Sequence, residues 1–246
     1  MIYIFGDSYG DPGQLPHDDD LDINEDCWYS LLTKHEKVNN YCIGAIGPID
    51  HFKLFWKNFN NICNDENAKI VFLLSNPFRL NFDFLKESSH AKEFGEFAII
   101  GNSFYKYFFQ YKKQSKSFYN FMGNELHHLN YKNIMTLKCI SMLHNVKIIV
   151  FVCFTVDFNT VTLESCKNDE YIHKLTELND DQFKLYSNTL SAYGRDYGNT
   201  PVECKNHFFK EDHEIMYNII ANYFYGGKRS EIFEPRTDNE FRYIYQ

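Results

Sequence analysis

The stretch "IYIFGDSYGD", residues 2–11, decides the fold that the sequence predicts. It opens with a short apolar run, residues 2–5, which Gly6 closes. A short apolar run that ends at a turn residue is typical of a buried strand. Ser8 therefore follows the first predicted strand on a sharp Gly-Asp-Ser turn. There it is either an ordinary loop residue or a nucleophile held at the edge of a sheet.

Further apolar runs repeat this pattern along the chain. They predict strands over Val38 to Ile43, which ends at Gly44, over residues 69–74, and over residues 146–154, the strongest of the set. Helices are expected in five other segments: one that carries Trp28, Leu31 and Leu32 with Asn24 or Asp26 as its cap, one that begins at Pro48, residues 119–144, a polar stretch up to about residue 193, and residues 208–224.

Strands that are apolar on both faces and alternate with helices indicate a parallel sheet covered on both sides. We therefore expect one α/β domain, a three-layer α/β/α sandwich that is flavodoxin-like in outline. The predicted domain spans residues 1–225 and carries an insertion at about 81–118. Residues 226–246 form a predicted tail with no assigned role.

Composition and charge narrow the classes of function. The chain of 246 residues is 44% hydrophobic, which is a globular composition. Its net charge of −8 is a poor match to nucleic acid, which proteins bind with a basic surface. Binding of nucleic acid by the aromatic and lysine-rich segment 103–113 is disfavoured for the same reason. No run of 18 apolar residues predicts a membrane span, and no signal peptide is visible.

The cysteines and the acidic residues predict no metal site. Seven scattered cysteines form no Cys-x-x-Cys pair, which favours reduced core residues of a cytoplasmic protein. The acidic stretch 17–22 lacks the glycine and the distal glutamate of an EF-hand loop. The chemistry that the remaining residues suggest needs neither a metal nor an organic cofactor.

Ser8, Gly44 and Asn76 each follow a predicted strand, so they are expected at the same edge of the sheet. A serine becomes a nucleophile when a base, normally a histidine, takes its proton. Among ten histidines, His207 lies in a loop before the last predicted helix, where a doubly wound sheet can return a loop to that edge. Acyl transfer also needs donors for an oxyanion, and the candidates are the Ser8 amide, the backbone at Gly44-Ala45 and the Asn76 side chain.

Four stretches resemble, in order, the four sequence blocks of the SGNH/GDSL esterase superfamily, and they span most of the chain: "FGDSYGD" (5–11), "NYCIGAIG" (40–47), "FLLSNPFR" (72–79) and "KNHFFKEDHEIMYNII" (205–220). The resemblance implies an SGNH hydrolase fold, with Ser8 as nucleophile, Asn76 as oxyanion donor and His207 as base. The family glycine usually falls five residues after the Asn of its block, which here is Ala45, with Gly44 beside it.

Two departures from the family pattern bear on function. The usual Gly-x-Asn-Asp of the third block is absent, and Cys204 stands three residues before His207, where the family places its acid. A neutral thiol cannot orient and stabilise an imidazolium as a carboxylate does. Either Glu203, the nearest carboxylate, replaces the acid, or a backbone carbonyl holds the ring and a Ser-His dyad operates. His213 corresponds to the second histidine of the fourth block.

The resemblance implies a serine esterase that hydrolyses acyl esters of small molecules, lipids or carbohydrates through an acyl-enzyme. The alternative is a catalytically impaired binding module on the same fold, which recognises a small molecule or a carbohydrate. Cys204 at the acid position favours this alternative. Neither interpretation identifies the acyl group, the alcohol or the oligomeric state.

Overall fold

A computed structural model describes residues 1–13, 21–44, 47–75, 112–153, 174–186, 190, 208 and 210–226, with residues 112–127 and 210–211 described by their backbone alone. The strands in these ranges are β1 (Ile2–Phe5), β2 (Val38–Asn40), β3 (Lys69–Leu74), β4 (Lys147–Val152) and β5 (Phe183–Tyr186). The α-helices are α1 (Trp28–Leu32), α2 (Pro48–Cys63), α3 (Lys112–His144) and α4 (Lys210–Tyr225), and Leu175–Leu178 form a 3-10 helix.

The five strands form one parallel sheet in the order β2-β1-β3-β4-β5, so the chain has an α/β fold. This is the order of a doubly wound sheet, in which the direction of winding reverses between β1 and β3. Ligands of such sheets bind beyond the carboxyl ends of the strands, at the point of reversal. The residues that follow β1, β2 and β3 therefore occupy the position where a ligand site is expected.

The two faces of the sheet pack against different helices. Side chains alternate along a strand, so that the neighbours Ile4 and Phe5 of β1 belong to separate buried clusters. The cluster with Ile4 includes residues of α1 and α4, and the cluster with Phe5 includes residues of α2 and α3. Burial on both faces explains why β3 and β4 are apolar after their first residue, which is a half-buried lysine in each.

Gly6 lets the chain leave β1 in close contact with β3. Its φ is 152°, and a Cβ added there would lie 2.3 Å from the Cβ of Leu73 and 2.7 Å from the carbonyl oxygen of Leu73. No other residue type fits this space without displacing the backbone of β3. The glycine of the Gly-Asp-Ser stretch is therefore required by packing at the point where the sheet reverses.

The structure confirms most of the predicted elements. Strands occupy residues 2–5, 69–74 and 147–152. As predicted, α2 begins at Pro48 and α3 ends at His144. The final helix, α4, also matches its prediction. In the described part of the chain, no helix is both long and apolar enough to cross a bilayer.

Three elements differ from their predictions. The N-cap of α1 is Cys27 and not Asn24 or Asp26, because Asp26 lies in the turn before the helix. The second strand ends at Asn40, although the amides of Tyr41 and Ile43 still donate to carbonyls of the neighbouring chain segment. The helix predicted over 119–144 starts earlier, at Lys112, inside the segment assigned to an insertion.

The prediction of a helical stretch up to about residue 193 is wrong for residues 183–186, which form β5. Phe183 and Leu185 face the core, whereas Lys184 and Tyr186 are only half-buried. Such alternation in four residues at the edge of a sheet gives a weak sequence signal. Three predicted segments lie outside the described part of the chain. They are residues 76–111, with most of the predicted insertion; the predicted loop 194–206; and residues 227–246, which make up the predicted tail after Gly226.

Candidate functional site

Ser8 lies in a tight, buried turn directly after β1. The Gly10 amide donates to the Asp7 carbonyl oxygen at 3.0 Å, and the Tyr9 amide donates to Oδ1 of Asp7 at 3.3 Å. The Asp7 side chain is fully buried, and Ser8 is only 5% exposed. The indole of Trp28 donates to the Tyr9 carbonyl at 2.9 Å, so α1 holds the turn from outside. The nucleophile predicted from sequence thus stands on a fixed backbone.

The segment that follows β2 is hydrogen-bonded to this turn. The Ile43 amide donates to the Gly6 carbonyl at 3.0 Å, and Nδ2 of Asn40 donates to the Gly10 carbonyl at 2.8 Å. Oδ1 of Asn40 accepts from the amide of Cys42 at 2.9 Å, so this one side chain fixes both segments. The structure therefore brings the segment of Gly44 next to the turn of Ser8.

The amide of Gly44 donates to Oδ2 of Asp11 at 2.6 Å. The other oxygen of the same carboxylate, Oδ1, accepts from the amide of Gly13 at 2.8 Å. A hydrogen bond to a carboxylate is stronger than one between neutral groups. Of the two amides in the predicted Gly44-Ala45 donor pair, that of Gly44 thus has a partner in this structure, and that of Ala45 lies outside the described residues.

The chain that leaves β3 is held at two successive carbonyls. The Leu74 carbonyl accepts from the Cys153 amide at 2.9 Å, and the Ser75 carbonyl accepts from Nδ2 of Asn130 at 3.4 Å. Ser75 and Asn130 are fully buried. Asn76, the predicted side-chain donor, comes next in sequence and lies outside the described residues.

The predicted base and acid, His207 and Glu203, also lie outside the described residues, as does Cys204. The next residue after His207, however, is described. The ring of Phe208 packs edge-to-face on the ring of Tyr9, with centroids 4.9 Å apart. The residue after the predicted base therefore contacts the residue after the predicted nucleophile.

His213 is fully buried and serves as a hydrogen-bond acceptor. Its Nδ1 accepts from the amide of Trp28 at 3.4 Å, and its Nε2 lies 3.8 Å from Sγ of Cys27. Burial lowers the pKa of His213 to about 4, although the nearby Asp26 opposes this shift. The ring is therefore neutral at pH 7 and joins α4 to the start of α1.

Burial also keeps the nearby thiols protonated. It raises the pKa of Cys27 to about 11, and it raises the pKa of Cys42 with a further contribution from Asp7 and Asp11. A protonated thiol is a poor nucleophile and a poor metal ligand. Among the described residues, no group of three or more His, Cys, Asp or Glu side chains is arranged to hold a metal ion.

Comparisons of this chain with protein-family models, with curated proteins and with solved structures found no match. What supports a function is therefore the arrangement of the chain's own residues. Sequence reasoning assigned no role to Asp11, Asn40 or Asn130, which hold the loops at this edge. Asp11 carried a local signal, because Asp-Pro-Gly favours a turn in which the aspartate binds an amide two residues later.

Proposed function

We propose that this chain is a serine esterase of the SGNH/GDSL type, with a three-layer α/β/α fold. Ser8 is its nucleophile and His207 its base. The contact between Phe208 and Tyr9 carries this proposal, because these two residues directly follow His207 and Ser8 in sequence. Because consecutive Cα atoms lie about 3.8 Å apart, a contact between Phe208 and Tyr9 favours a short distance between the residues that precede them, His207 and Ser8.

The proposed reaction has two steps. Ser8 Oγ attacks the ester carbonyl carbon while His207 takes the hydroxyl proton, and the donors at the sheet edge stabilise the oxyanion. The bond to the alcohol then breaks, and His207 gives its proton to the departing oxygen. Water, activated by the same histidine, hydrolyses the acyl-serine and releases the acid.

The donors proposed for the oxyanion are the Ser8 amide, the Ala45 amide of the Gly44-Ala45 backbone and the side chain of Asn76, because Asp11 already binds the Gly44 amide. The buried turn supports a role for Ser8, because a donor must be fixed before the reaction begins. The strand order supports the proposal that these donors lie close together, since each of them follows one of the neighbouring strands β1, β2 and β3 in sequence.

The second candidate is a non-catalytic binding module on the same fold. The low exposure of Ser8, at 5%, favours it, since a nucleophile must meet its substrate. Binding of a small molecule or a carbohydrate at this edge of the sheet would need neither an acid nor an exposed serine.

Hydrolysis of p-nitrophenyl acetate and butyrate separates the two candidates. We expect the wild-type protein to hydrolyse at least one of them and Ser8→Ala to lose at least about 10³-fold in kcat/KM. Ser30→Ala is the matched control, because the Ser30 hydroxyl donates to the Ile23 carbonyl, away from this turn. Activity that survives in Ser8→Ala, or a wild-type protein that hydrolyses neither ester, would contradict the esterase.

A further inference from the structure

The carboxylate of Asp11 bridges two backbone segments at the carboxyl edge of the sheet. Oδ2 accepts from the Gly44 amide at 2.6 Å, and Oδ1 accepts from the Gly13 amide at 2.8 Å. The residues in the first of these bonds are 33 positions apart in sequence. The bridge therefore joins the loop that carries Ser8 to the loop that follows β2.

The Asp11 bridge closes a series of contacts between these loops. Nearer the sheet, the Ile43 amide donates to the Gly6 carbonyl, and the Asn40 side chain donates to the Gly10 carbonyl. A Cβ at position 10 would lie 2.6 Å from Sγ of Cys42 and 2.9 Å from Cδ1 of Leu73, so a larger residue there would displace these side chains. The turn of Ser8 is thus joined to the β2 loop through Gly6, Gly10 and Asp11, and Asp11 makes the outermost of these contacts.

We propose that Asp11 is a positioning residue, which fixes the turn of Ser8 against the β2 loop. The amide of Gly44 serves this bridge and not the oxyanion. The inference rests on the proposed esterase function, because a nucleophile is what the fixed turn positions. It leaves the Ser8 amide, Ala45 and Asn76 as the candidate donors.

The expected effect follows from the geometry that acyl transfer demands. A reacting group must be held within about 0.5 Å of its productive position, and an error of about 1 Å costs on the order of 100-fold in rate. Removal of the carboxylate frees one end of the turn and leaves the bonds of Asn40 and Ile43 intact. We therefore expect a loss of roughly 10- to 100-fold in the reaction of Ser8.

The first test measures how fast a fluorophosphonate probe labels the folded protein. Asp11→Ala loses both acceptors and should slow labelling by roughly 10- to 100-fold at saturating probe. Asp11→Asn keeps one acceptor oxygen and should lose less. Asp22→Asn is the matched control, because Asp22 Oδ1 accepts from the Asn24 amide at 2.8 Å in a similar turn and the net charge changes equally. It should label within about twofold of wild type.

The second test requires no reaction at the serine. Hydrogen exchange followed by NMR should show faster exchange in Asp11→Ala at the Gly44 amide and also at the Gly10 amide, which closes the turn of Ser8. A role confined to the outer loop would change Gly44 alone. Asp22→Asn should leave both amides unchanged.

The outcomes separate this inference from the proposed function. Faster labelling in Asp11→Ala would mean that the carboxylate competes for the donor, and unchanged labelling would mean that it positions nothing; either result overturns the inference. If the wild-type protein is not labelled at all, the esterase fails. Exchange at Gly10 then decides alone whether Asp11 fixes the turn, and unchanged exchange there refutes the inference.

Discussion

At the amino edge of the sheet Glu36 lies between two amino groups, whereas at the carboxyl edge Asp11 lies between two backbone amides. The Glu36 carboxylate is 2.5 Å from Nζ of Lys69 and 2.5 Å from the amino group of Met1, and the hydroxyl of Tyr225 also donates to it. The negative charge of Glu36 thus pairs with the positive charges of Lys69 and the Met1 amino group, and this pairing stabilises the amino edge of the sheet.

The carboxylate of Asp11 instead binds the backbone, and so it shapes the loops on which Ser8 and Gly44 lie. A backbone amide has a fixed direction, since the peptide unit is planar. Carboxylates that bind such amides determine loop conformation more closely than flexible ion pairs do. Charged groups thus pair with each other at one edge of the sheet, whereas at the other edge a carboxylate holds the loops of the proposed site.

The largest effect is expected at the carboxyl edge from Gly6→Ala. The added Cβ would lie 2.3 Å from the Cβ of Leu73, with no flexible side chain to give way. We expect the free energy of unfolding in urea to fall by about 3 kcal/mol or more. Gly226→Ala is the control, because a Cβ there meets nothing within 4 Å and a φ of 75° costs about 1–2 kcal/mol. Equal losses in the two variants would show that β1 and β3 do not require their close approach.

The second effect is a dependence of stability on pH, which comes from the buried His213 between α4 and α1. The pKa of His213 is lowered to about 4 by burial, so the unfolded chain binds a proton near pH 6.5 that the folded protein binds only near pH 4. Stability should therefore be complete above pH 6.5 and fall by about 3 kcal/mol as the pH drops towards 4.

Urea unfolding at pH 7.5 and pH 4.5 checks this expectation. His213→Gln should remove most of the pH dependence, while His128→Gln, at an exposed position on α3, should keep it. A wild-type stability that is flat across this range would contradict the buried, neutral histidine.

A smaller effect is expected at the amino edge from Glu36→Gln. Burial alone would raise the pKa of Glu36, but hydrogen bonds from Lys69, the Met1 amine and Tyr225 lower it to about 2. The stabilisation is thus complete above pH 4.5 and is lost as the pH falls towards 2. We expect Glu36→Gln to cost about 1 kcal/mol at pH 7 and to leave probe labelling within about twofold. The exposed Glu66→Gln is the control; a large loss of labelling in Glu36→Gln would break the division between the edges.

The smallest effect is expected from Glu203→Gln. A carboxylate that orients the base is worth about 10⁴-fold in kcat of a well-studied triad. Glu203 is only four residues from His207, so we favour a dyad, in which this change costs less than roughly tenfold. Cys204→Ala is the control, since a neutral thiol holds a cation poorly. A loss near 10⁴-fold with an unchanged circular dichroism spectrum would show that Glu203 completes a triad.

The sequence predicted the strands that are buried on both faces and missed the features that depend on distant partners. Residues 70–74 form a continuous apolar run, which predicts a buried strand, whereas β5 has four residues in alternation and was taken for helix. Gly44, whose amide donates to the Asp11 carboxylate, is 33 residues from Asp11 in sequence. Trp28, whose amide donates to the ring of His213, is 185 residues from His213. No local pattern encodes such pairs, because the fold alone brings them together.

The sequence predicted where the loops of the candidate site lie, but not the hydrogen bonds within them. A turn after β1 is expected at the reversal of a doubly wound sheet, and Ser8 is found in such a turn. The engagement of the Gly44 amide with Asp11 could not be foreseen, since a glycine after a strand fits a donor role and a bridge equally well. The roles of Asn76, Glu203 and His207 stay predictions.

Whether Ser8 is an activated nucleophile is tested most directly by mapping a fluorophosphonate adduct by mass spectrometry. Treatment of the folded wild-type protein should give one phosphonylated site, on the peptide that contains Ser8, and the adduct should disappear in Ser8→Ala and after unfolding in urea before treatment. An unmodified wild-type protein, or an adduct that persists in Ser8→Ala, would contradict the account.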